Sequence, residues 1–225
     1  MARAKRVALG GYVYHVLNRA NGRLRIFRKY DDFLAFEQIL AEAIGQFDMR
    51  LCGYCIMNDH WHLLLWPRRA GDLSDFMRWL TLTHTQRYHA SHRTSGIGHL
   101  YQGRFKSFPV QDDGHYLTIL RYIEASPLRA GLVKSAGDWD WSSLAIRKGA
   151  ESFFELSKGP MKLPARWEKL VNKLQSPKNL EGLQKSFQRG APFGDTDWQT
   201  ITARKMKLES TMRPVGRPRN TAMTL

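Results

Sequence analysis

Cysteine and long apolar runs are both scarce in this 225-residue chain, and each scarcity excludes a class of protein. Cys52 and Cys55 are the only cysteines, so a disulfide framework is excluded. No apolar run approaches the roughly 18 residues that span a bilayer, and the first residues, MARAKRVALGG, lack the hydrophobic region of a signal peptide. We therefore expect a cytoplasmic protein with no membrane partner.

Acidic residues are also few, since 20 Asp and Glu stand against 35 Lys and Arg for a net charge of +15. Such a balance is typical of proteins that contact phosphate backbones, and it predicts association with the nucleoid. Hydrophobic residues make up 43% of the chain, which is enough for a packed core and argues against global disorder. The length fits one main domain with a smaller appendage.

The basic residues concentrate towards the two ends of the chain. Residues 1–30 contain eight basic residues and no acidic one, and residues 201–225 contain six against Glu209 alone. The last segment, RPVGRPRN, is similar to AT-hook peptides that lie in the DNA minor groove, and an ordinary solvated tail is the alternative. We predict DNA contacts from basic residues at both ends and in QGRFKS, namely Arg3, Lys5, Arg6, Arg19, Arg23, Arg104, Lys106, Arg213, Arg217 and Arg219.

The spacing of apolar residues predicts alternating strands and helices. GYVYHVLNR alternates as a strand does, and residues 31–47 carry apolar positions at helical spacing. LCGYCIM and HWHLLLW flank Asn58-Asp59, the turn chemistry of a tight antiparallel hairpin. A helix over 73–90, a strand over 102–110 and a third helix, GHYLTILRYIEAS, complete the pattern.

This order of elements favours an α+β fold of ferredoxin-like type, with an antiparallel sheet and helices packed on one face. After about residue 150, prolines divide short helical stretches. We therefore predict a main domain of residues 1–150, followed by a helical, basic, DNA-binding appendage of residues 151–225 with a flexible tail.

The C-x-x-C spacing of Cys52 and Cys55 has a functional and a structural interpretation. It occurs in redox pairs and in zinc sites. Residues three apart on a strand face opposite sides, however, and no second cysteine pair is present to complete a tetrahedral site. We therefore interpret both cysteines as structural.

His60 and His62 are candidates for a metal site. Positions i and i+2 of a strand point to one face, so the two imidazoles project together while Trp61 enters the core. Two such rings can share a divalent metal, and the alternative is a pair of half-exposed histidines that only make hydrogen bonds. A metal held by two protein ligands needs a third group and leaves positions open to phosphate oxygens, which it would polarise as a Lewis acid.

The third helix offers Tyr122 as a candidate nucleophile. At about 100° per residue, Tyr122 lies on a flank of the helix, which it shares with His115 and Ser126, whereas Glu124 lies on the other side. A phenol is protonated near neutral pH, so attack would need a metal or nearby cations, and simple packing is the alternative. The predicted buried stripe consists of Tyr116, Ile119, Leu120 and Ile123.

Several segments, in this order, resemble the HUH (His-hydrophobic-His) single-tyrosine transposases, and among them the REP-associated tyrosine transposases. MNDHWHLLLWP is similar to the HUH segment, and RYIEASPLRAGLV is similar to the tyrosine helix and its exit. YQGRFKS and the C-terminal PFGDTDWQTITARKMKLESTMRPVGRPR also resemble members of this family. The resemblance extends over nearly the whole chain.

The resemblance implies a metal-dependent transesterase of single-stranded DNA that acts beside palindromic hairpins. In such enzymes the tyrosine attacks a phosphodiester and leaves a 5′-phosphotyrosyl link and a free 3′-hydroxyl. Carried over by position, His60 and His62 would hold Mg²⁺ or Mn²⁺ and Tyr122 would be the nucleophile. Relatives often place an amide where this chain has Ser126, so the third metal contact stays open between Ser126, His115 and water.

Other functions fit parts of the sequence. A non-cleaving regulator that binds DNA hairpins would keep the basic surface, but the chain also retains both histidines and the tyrosine. Relaxases place the tyrosine before the histidines, whereas the order here is that of transposases. An RNA-binding module is disfavoured because YQGRFKSF lacks the aromatic-rich pattern that stacks bases. The sequence leaves the oligomeric state, monomer or homodimer, open.

Overall fold

The computed structural model describes residues 7–173 and 175–213, apart from the side chain of Lys178. Its centre is a four-stranded antiparallel sheet in the order β2-β3-β1-β4. The strands are β1 (Val13–Arg19), β2 (Arg50–Ile56), β3 (His60–Trp66) and β4 (Lys106–Val110). The α-helices are α1 (Tyr30–Phe47), α2 (Asp72–His92), α3 (Gly114–Glu124), α4 (Ser126–Arg129), α5 (Ser143–Arg147), α6 (Trp167–Val171), α7 (Pro177–Arg189), α8 (Thr196–Lys205) and α9 (Glu209–Met212).

Helices cover both faces of the sheet. The first core contains side chains of α1 and α2 together with Trp61 and Leu63, and the second contains side chains of α3 together with Leu64 and Phe108. The predicted α+β fold of ferredoxin-like type is confirmed. α1 and α2 pack on one face of the sheet, as expected, whereas α3 packs on the other face. Neighbouring strand residues such as Leu63 and Leu64 point to opposite faces, and because both are apolar, both faces of the sheet need to be covered.

The predicted helices and strands are found with small changes at their ends. At the start of α1, the Asp32 carboxylate accepts hydrogen bonds from the backbone N–H groups of Arg28 at 2.9 Å and Lys29 at 3.2 Å. An acidic side chain in the first turn often caps a helix in this way. The strand predicted over 102–110 is shorter, because the chain bends at residues 102–104 and enters the sheet only at Lys106. β1, α2 and α3 match their predicted segments closely.

The β2–β3 hairpin forms as predicted, with the Met57 N–H donating to the His60 carbonyl at 2.8 Å. A bulge between Leu51 and Gly53 adds one residue to β2. Residues after the bulge therefore point to the face opposite to the one that strict alternation from Leu51 would give. Cys52 and Cys55 consequently lie in the same core, so the expectation that they face opposite ways is wrong.

Both cysteines behave as buried structural residues. Each thiol is free and fully buried, and burial raises the pKa of Cys52 to about 11. A protonated, inaccessible thiol is a poor nucleophile and a poor metal ligand. Gly53 between them lets α3 approach β2 closely, because a Cβ at this position would lie 2.3 Å from Leu120 Cδ1.

Among the described residues after residue 150, those from Trp167 onward form α6 to α9, in line with the expected C-terminal helices, and this part of the chain packs into both cores. Met206 is buried in the first core, and Leu183 and Phe193 are buried in the second. Phe193 also extends the sheet beyond β4, since its N–H donates to the Pro109 carbonyl and its own carbonyl accepts from the Gln111 N–H, both at 2.9 Å. C-terminal residues thus cover the outer edge of β4.

Some expectations lie outside the described residues. These include the AT-hook-like RPVGRPRN beyond its first residue, and the start of the chain through residue 6. Among the helices within the described ranges, none has the length and apolar character needed to cross a membrane.

A buried histidine of the first core should make stability depend on pH. His84 is 3% exposed, with Nδ1 2.6 Å from the Tyr101 hydroxyl and its ring stacked on Phe27, and burial lowers its pKa from 6.5 to about 3. The unfolded chain binds this proton below about pH 6.5 and the folded chain does not, so stability should fall as the pH falls towards 3. At pH 4.5 the loss from this group should be about 2–3 kcal/mol.

The measurement is urea unfolding of the protein and of His84→Gln at pH 7 and at pH 4.5. The variant should lose less stability between the two pH values than the unchanged protein. Burial raises the pKa of Glu37 to about 6, which has the opposite effect on stability, but this contribution is shared by both proteins and cancels in the comparison. An equal loss in both proteins would contradict the prediction.

Candidate active site

His60 and His62 lie on the α3 face of the sheet, where β3 begins directly after the Asn58-Asp59 turn. The register places Arg19 of β1 beside His60 and Leu17 beside His62. Lys106 of β4 is paired in turn with Leu17. Directly paired residues of an antiparallel sheet share a face. Arg19 and Lys106, two of the predicted DNA contacts, therefore lie on the same face as the histidine pair.

The two histidine rings meet at a centroid separation of 5.1 Å, and each has a hydrogen-bond partner on Nδ1. Nδ1 of His62 is 2.9 Å from Nε2 of His15, and Nδ1 of His60 contacts the Asp59 carboxylate. Within the described chain, no residue forms a hydrogen bond with Nε2 of either ring. Nε2 is thus the nitrogen of each ring that is left for an external ligand.

Burial keeps these imidazoles neutral. It lowers the pKa of His62 well below the ordinary value, helped by the neighbouring His60 and His15, and it lowers the pKa of His15 to about 3. The pKa of His60 is also lowered, because the effect of burial exceeds the opposing effect of the Asp59 carboxylate. Neutral imidazole is the form that binds metals, so the pair is ready to do so near neutral pH.

Tyr122 reaches this face from the flank of α3. The helix begins after Asp113, whose carboxylate accepts the His115 N–H at 2.8 Å, and its predicted apolar stripe is fully buried. Tyr122 is half-buried, and its ring centroid lies 6.0 Å from that of His62. The guanidinium carbon of Arg129 lies 3.7 Å from the centre of the Tyr122 ring. The structure thus brings the tyrosine and the histidine pair together.

Ser126 is close to Tyr122, but its hydroxyl is engaged: it donates to the Tyr122 carbonyl at 3.0 Å and accepts from Arg129 at 2.9 Å. His115 is placed elsewhere, with its ring against Phe193 and Nδ1 2.8 Å from the Asp113 carboxylate. Across residues 7–173 and 175–213, no group of three His, Cys, Asp or Glu side chains is positioned to hold a metal. His115 is therefore not brought together with the pair.

Comparison with known proteins identifies the family. The model of IS200-like transposases matches residues 9–126, a range that contains both histidines and Tyr122. The chain belongs to this family. The resemblance to tyrosine transposases is thereby confirmed, and no curated protein matches the sequence.

Two solved structures are similar to this transposase. One is a REP-associated tyrosine transposase bound to a REP hairpin, with 16% identity over 73% of this chain and 100% of that chain and a TM-score of 0.54. At this identity the likeness shows the fold. The other is a putative transposase from Deinococcus radiodurans R1, with 21% identity over 55% of this chain and 96% of that chain and a TM-score of 0.39.

Sequence reasoning missed several residues of the transposase site. His15 had a visible signal, because it is a polar residue among the apolar residues of the first part of β1, VYHVL. Phe187 of α7 had none, yet its ring centroid lies 4.9 Å from that of Tyr122, 4.9 Å from that of His15 and 6.3 Å from that of His62. The C-terminal part of the chain thus forms a wall of the site.

The other predicted DNA contacts are only partly described. Arg23, Arg104 and Arg213 are exposed, as a residue that contacts DNA must be before binding. The remaining ones lie outside the described residues of the transposase, namely Arg3, Lys5, Arg6, Arg217 and Arg219.

Proposed function

We propose that this transposase is a metal-dependent transesterase that cuts and rejoins single-stranded DNA beside hairpins. The observation that carries the proposal is the meeting of Tyr122 with His60 and His62 on one face of the sheet, with Nε2 of both histidines available. A hairpin partner is supported by the similar solved structure, whose protein is bound to a REP hairpin.

The two histidines fit a divalent metal, Mg²⁺ or Mn²⁺. They are neutral, they share a face, and each has its second ring nitrogen satisfied by a neighbour, which is the usual arrangement of metal-binding histidines. When bound, the metal acts as a Lewis acid on the phosphodiester. Water and phosphate oxygens would fill the remaining ligand positions of the metal. The Ser126 hydroxyl donates to the Tyr122 carbonyl and accepts from Arg129, so one lone pair would be left for a metal contact.

In the proposed reaction, the Tyr122 hydroxyl oxygen attacks the scissile phosphorus and forms a bond to it. The bond from phosphorus to the 3′-oxygen breaks, that oxygen takes up a proton, and the phenol proton passes to solvent. The guanidinium of Arg129 packs over the Tyr122 ring, with its central carbon 3.7 Å from the ring centroid, and so helps to hold the tyrosine in place. Rejoining is the reverse step, in which a 3′-hydroxyl attacks the 5′-phosphotyrosine and the tyrosine recovers its proton.

The surrounding cations are proposed to hold the DNA strand across the site. Arg19 and Lys106 share the face of the histidine pair and can contact phosphates on either side of the scissile one. The exposed Arg23, Arg104 and Arg213 extend the basic surface beyond this face.

The test is incubation of the full chain with a single strand that carries a hairpin, with Mg²⁺ or Mn²⁺, followed by a denaturing gel. We expect a covalent protein–DNA adduct that EDTA abolishes. His60→Ala and His62→Ala should each lower its rate by roughly 100-fold or more, because the phosphodiester loses its Lewis acid. Hairpin binding in a gel shift should change little.

The matched control is His99→Ala, which alters an exposed histidine outside the four strands and should form the adduct as the unchanged protein does. An adduct that persists in EDTA would contradict metal dependence. Tight hairpin binding with no adduct under either metal would favour the non-cleaving regulator.

A further inference from the structure

His15 is a buried histidine that the proposed chemistry does not use. It lies in the middle of β1, is 1% exposed, and packs against Phe108 and Phe187 at centroid distances of 4.9 Å each. Its polar contact among the described residues is the 2.9 Å approach of its Nε2 to Nδ1 of His62. His15 thus stands behind the proposed metal pair, on the side away from the ligand positions.

An apolar residue would fill this position at lower cost. Val13 precedes His15 on the same face of β1 and is buried, and the rings around His15 are aromatic carbon surfaces. Burying an imidazole in such surroundings is unfavourable unless its nitrogens are satisfied. The contact with His62 is therefore the feature that accounts for a histidine here.

The contact decides which nitrogen of His62 carries a proton. Two nitrogens 2.9 Å apart share one hydrogen, so one ring donates and the other accepts. If Nδ1 of His62 donates, its Nε2 carries a lone pair and can bind a metal. If Nε2 of His15 donates instead, the neutral His62 ring carries its proton on Nε2 and cannot bind.

We propose that His15 is a positioning residue: its Nε2 accepts the Nδ1–H of His62 and thereby presents the lone pair of His62 Nε2 to the metal. The identity of the ligand as a metal rests on the proposed function. Asp59 does the same for His60, but a carboxylate can only accept, whereas His15 must itself be held with its proton on Nδ1.

The tautomer is measured directly by nitrogen-15 NMR of the histidine rings in the full-length protein without metal. We expect His62 to be protonated on Nδ1 and unprotonated on Nε2, with its signals assigned from their loss in His62→Ala. A His62 ring protonated on Nε2 would overturn the proposal. This readout does not depend on catalysis.

Metal affinity provides the second measurement, through the electron paramagnetic resonance signal of free Mn²⁺. His15→Phe keeps the ring shape but removes the acceptor, and we expect it to weaken Mn²⁺ binding by about 10- to 100-fold. His15→Gln keeps an acceptor where Nε2 was and should bind within a few-fold of the unchanged protein. His84→Phe, which alters a buried histidine of the other core, is the matched control and should bind normally.

Unchanged Mn²⁺ affinity in a folded His15→Phe would overturn the proposal, as would equal losses in His15→Gln and His15→Phe. If His15→Phe does not fold, the proposal is still tested by the tautomer of His62 in the NMR spectra and by the Mn²⁺ affinity of His15→Gln. Failure of the proposed function is distinguishable from failure of this proposal, because the unchanged protein would then bind no Mn²⁺. The tautomer of His62 would in that case still uphold or overturn the role of His15.

Discussion

Tyr122→Phe is expected to form no covalent adduct with DNA and to cleave at least about a thousandfold more slowly than the unchanged protein. The substitution removes one oxygen atom, the proposed nucleophile, and keeps the ring that packs against Phe187 and Arg129. The site should otherwise be intact, so hairpin affinity in a gel shift should stay within about twofold. Adduct and cleaved strand are quantified on one denaturing gel.

Tyr12→Phe is the matched control for this experiment. Tyr12 is also a half-buried tyrosine next to a cation, but its hydroxyl accepts from Lys205 at 3.2 Å, on another part of the surface. The control should form the adduct at the normal rate. If instead Tyr122→Phe retained the adduct, the nucleophile would have to be sought among the other tyrosines.

Glu124→Leu is expected to lower the free energy of unfolding by about 3–5 kcal/mol. Glu124 is fully buried and accepts hydrogen bonds from Ser143 at 2.6 Å, Trp167 at 2.5 Å and Arg147 at 3.0 Å. These contacts tie the end of α3 to α5 and α6. Removing the carboxylate leaves the Arg147 charge without its counter-ion in a mostly buried place, which accounts for the size of the effect.

The measurement is denaturant unfolding, with Glu42→Leu as the control. Glu42 forms an ion pair with Arg87 through two contacts of 2.7 Å, but both side chains are about half exposed, so its loss should change stability far less. Similar small losses in both variants would contradict the stabilising role of the Glu124 network.

The features that could be predicted from the sequence are those that depend on local spacing. The shared face of His60 and His62 follows from the two-residue repeat of a strand, and the half-buried flank position of Tyr122 follows from the helical repeat of α3. The hairpin follows from Asn58-Asp59. None of these needs knowledge of where distant parts of the chain meet.

The features that were missed depend on distant contacts or on a local irregularity. The bulge in β2 has no clear signal, and it reverses the side-chain pattern that placed Cys52 and Cys55 on opposite faces. Phe187 enters the site because α7 packs beside β4, and spacing within α7 says nothing about that neighbour. The third metal contact stays a prediction, since Ser126 is engaged and His115 is placed elsewhere.

The packing of the C-terminal helices has a consequence for engineering this protein. A change of target specificity by exchanging the last part of the chain with that of a relative would also exchange Phe193 and Leu183 of the core and Phe187 of the catalytic wall. The recipient would have to accommodate three foreign side chains at once. Hybrids joined near residue 150 should therefore fold less readily than the unchanged chain, because the side chains on the two sides of the junction share both cores.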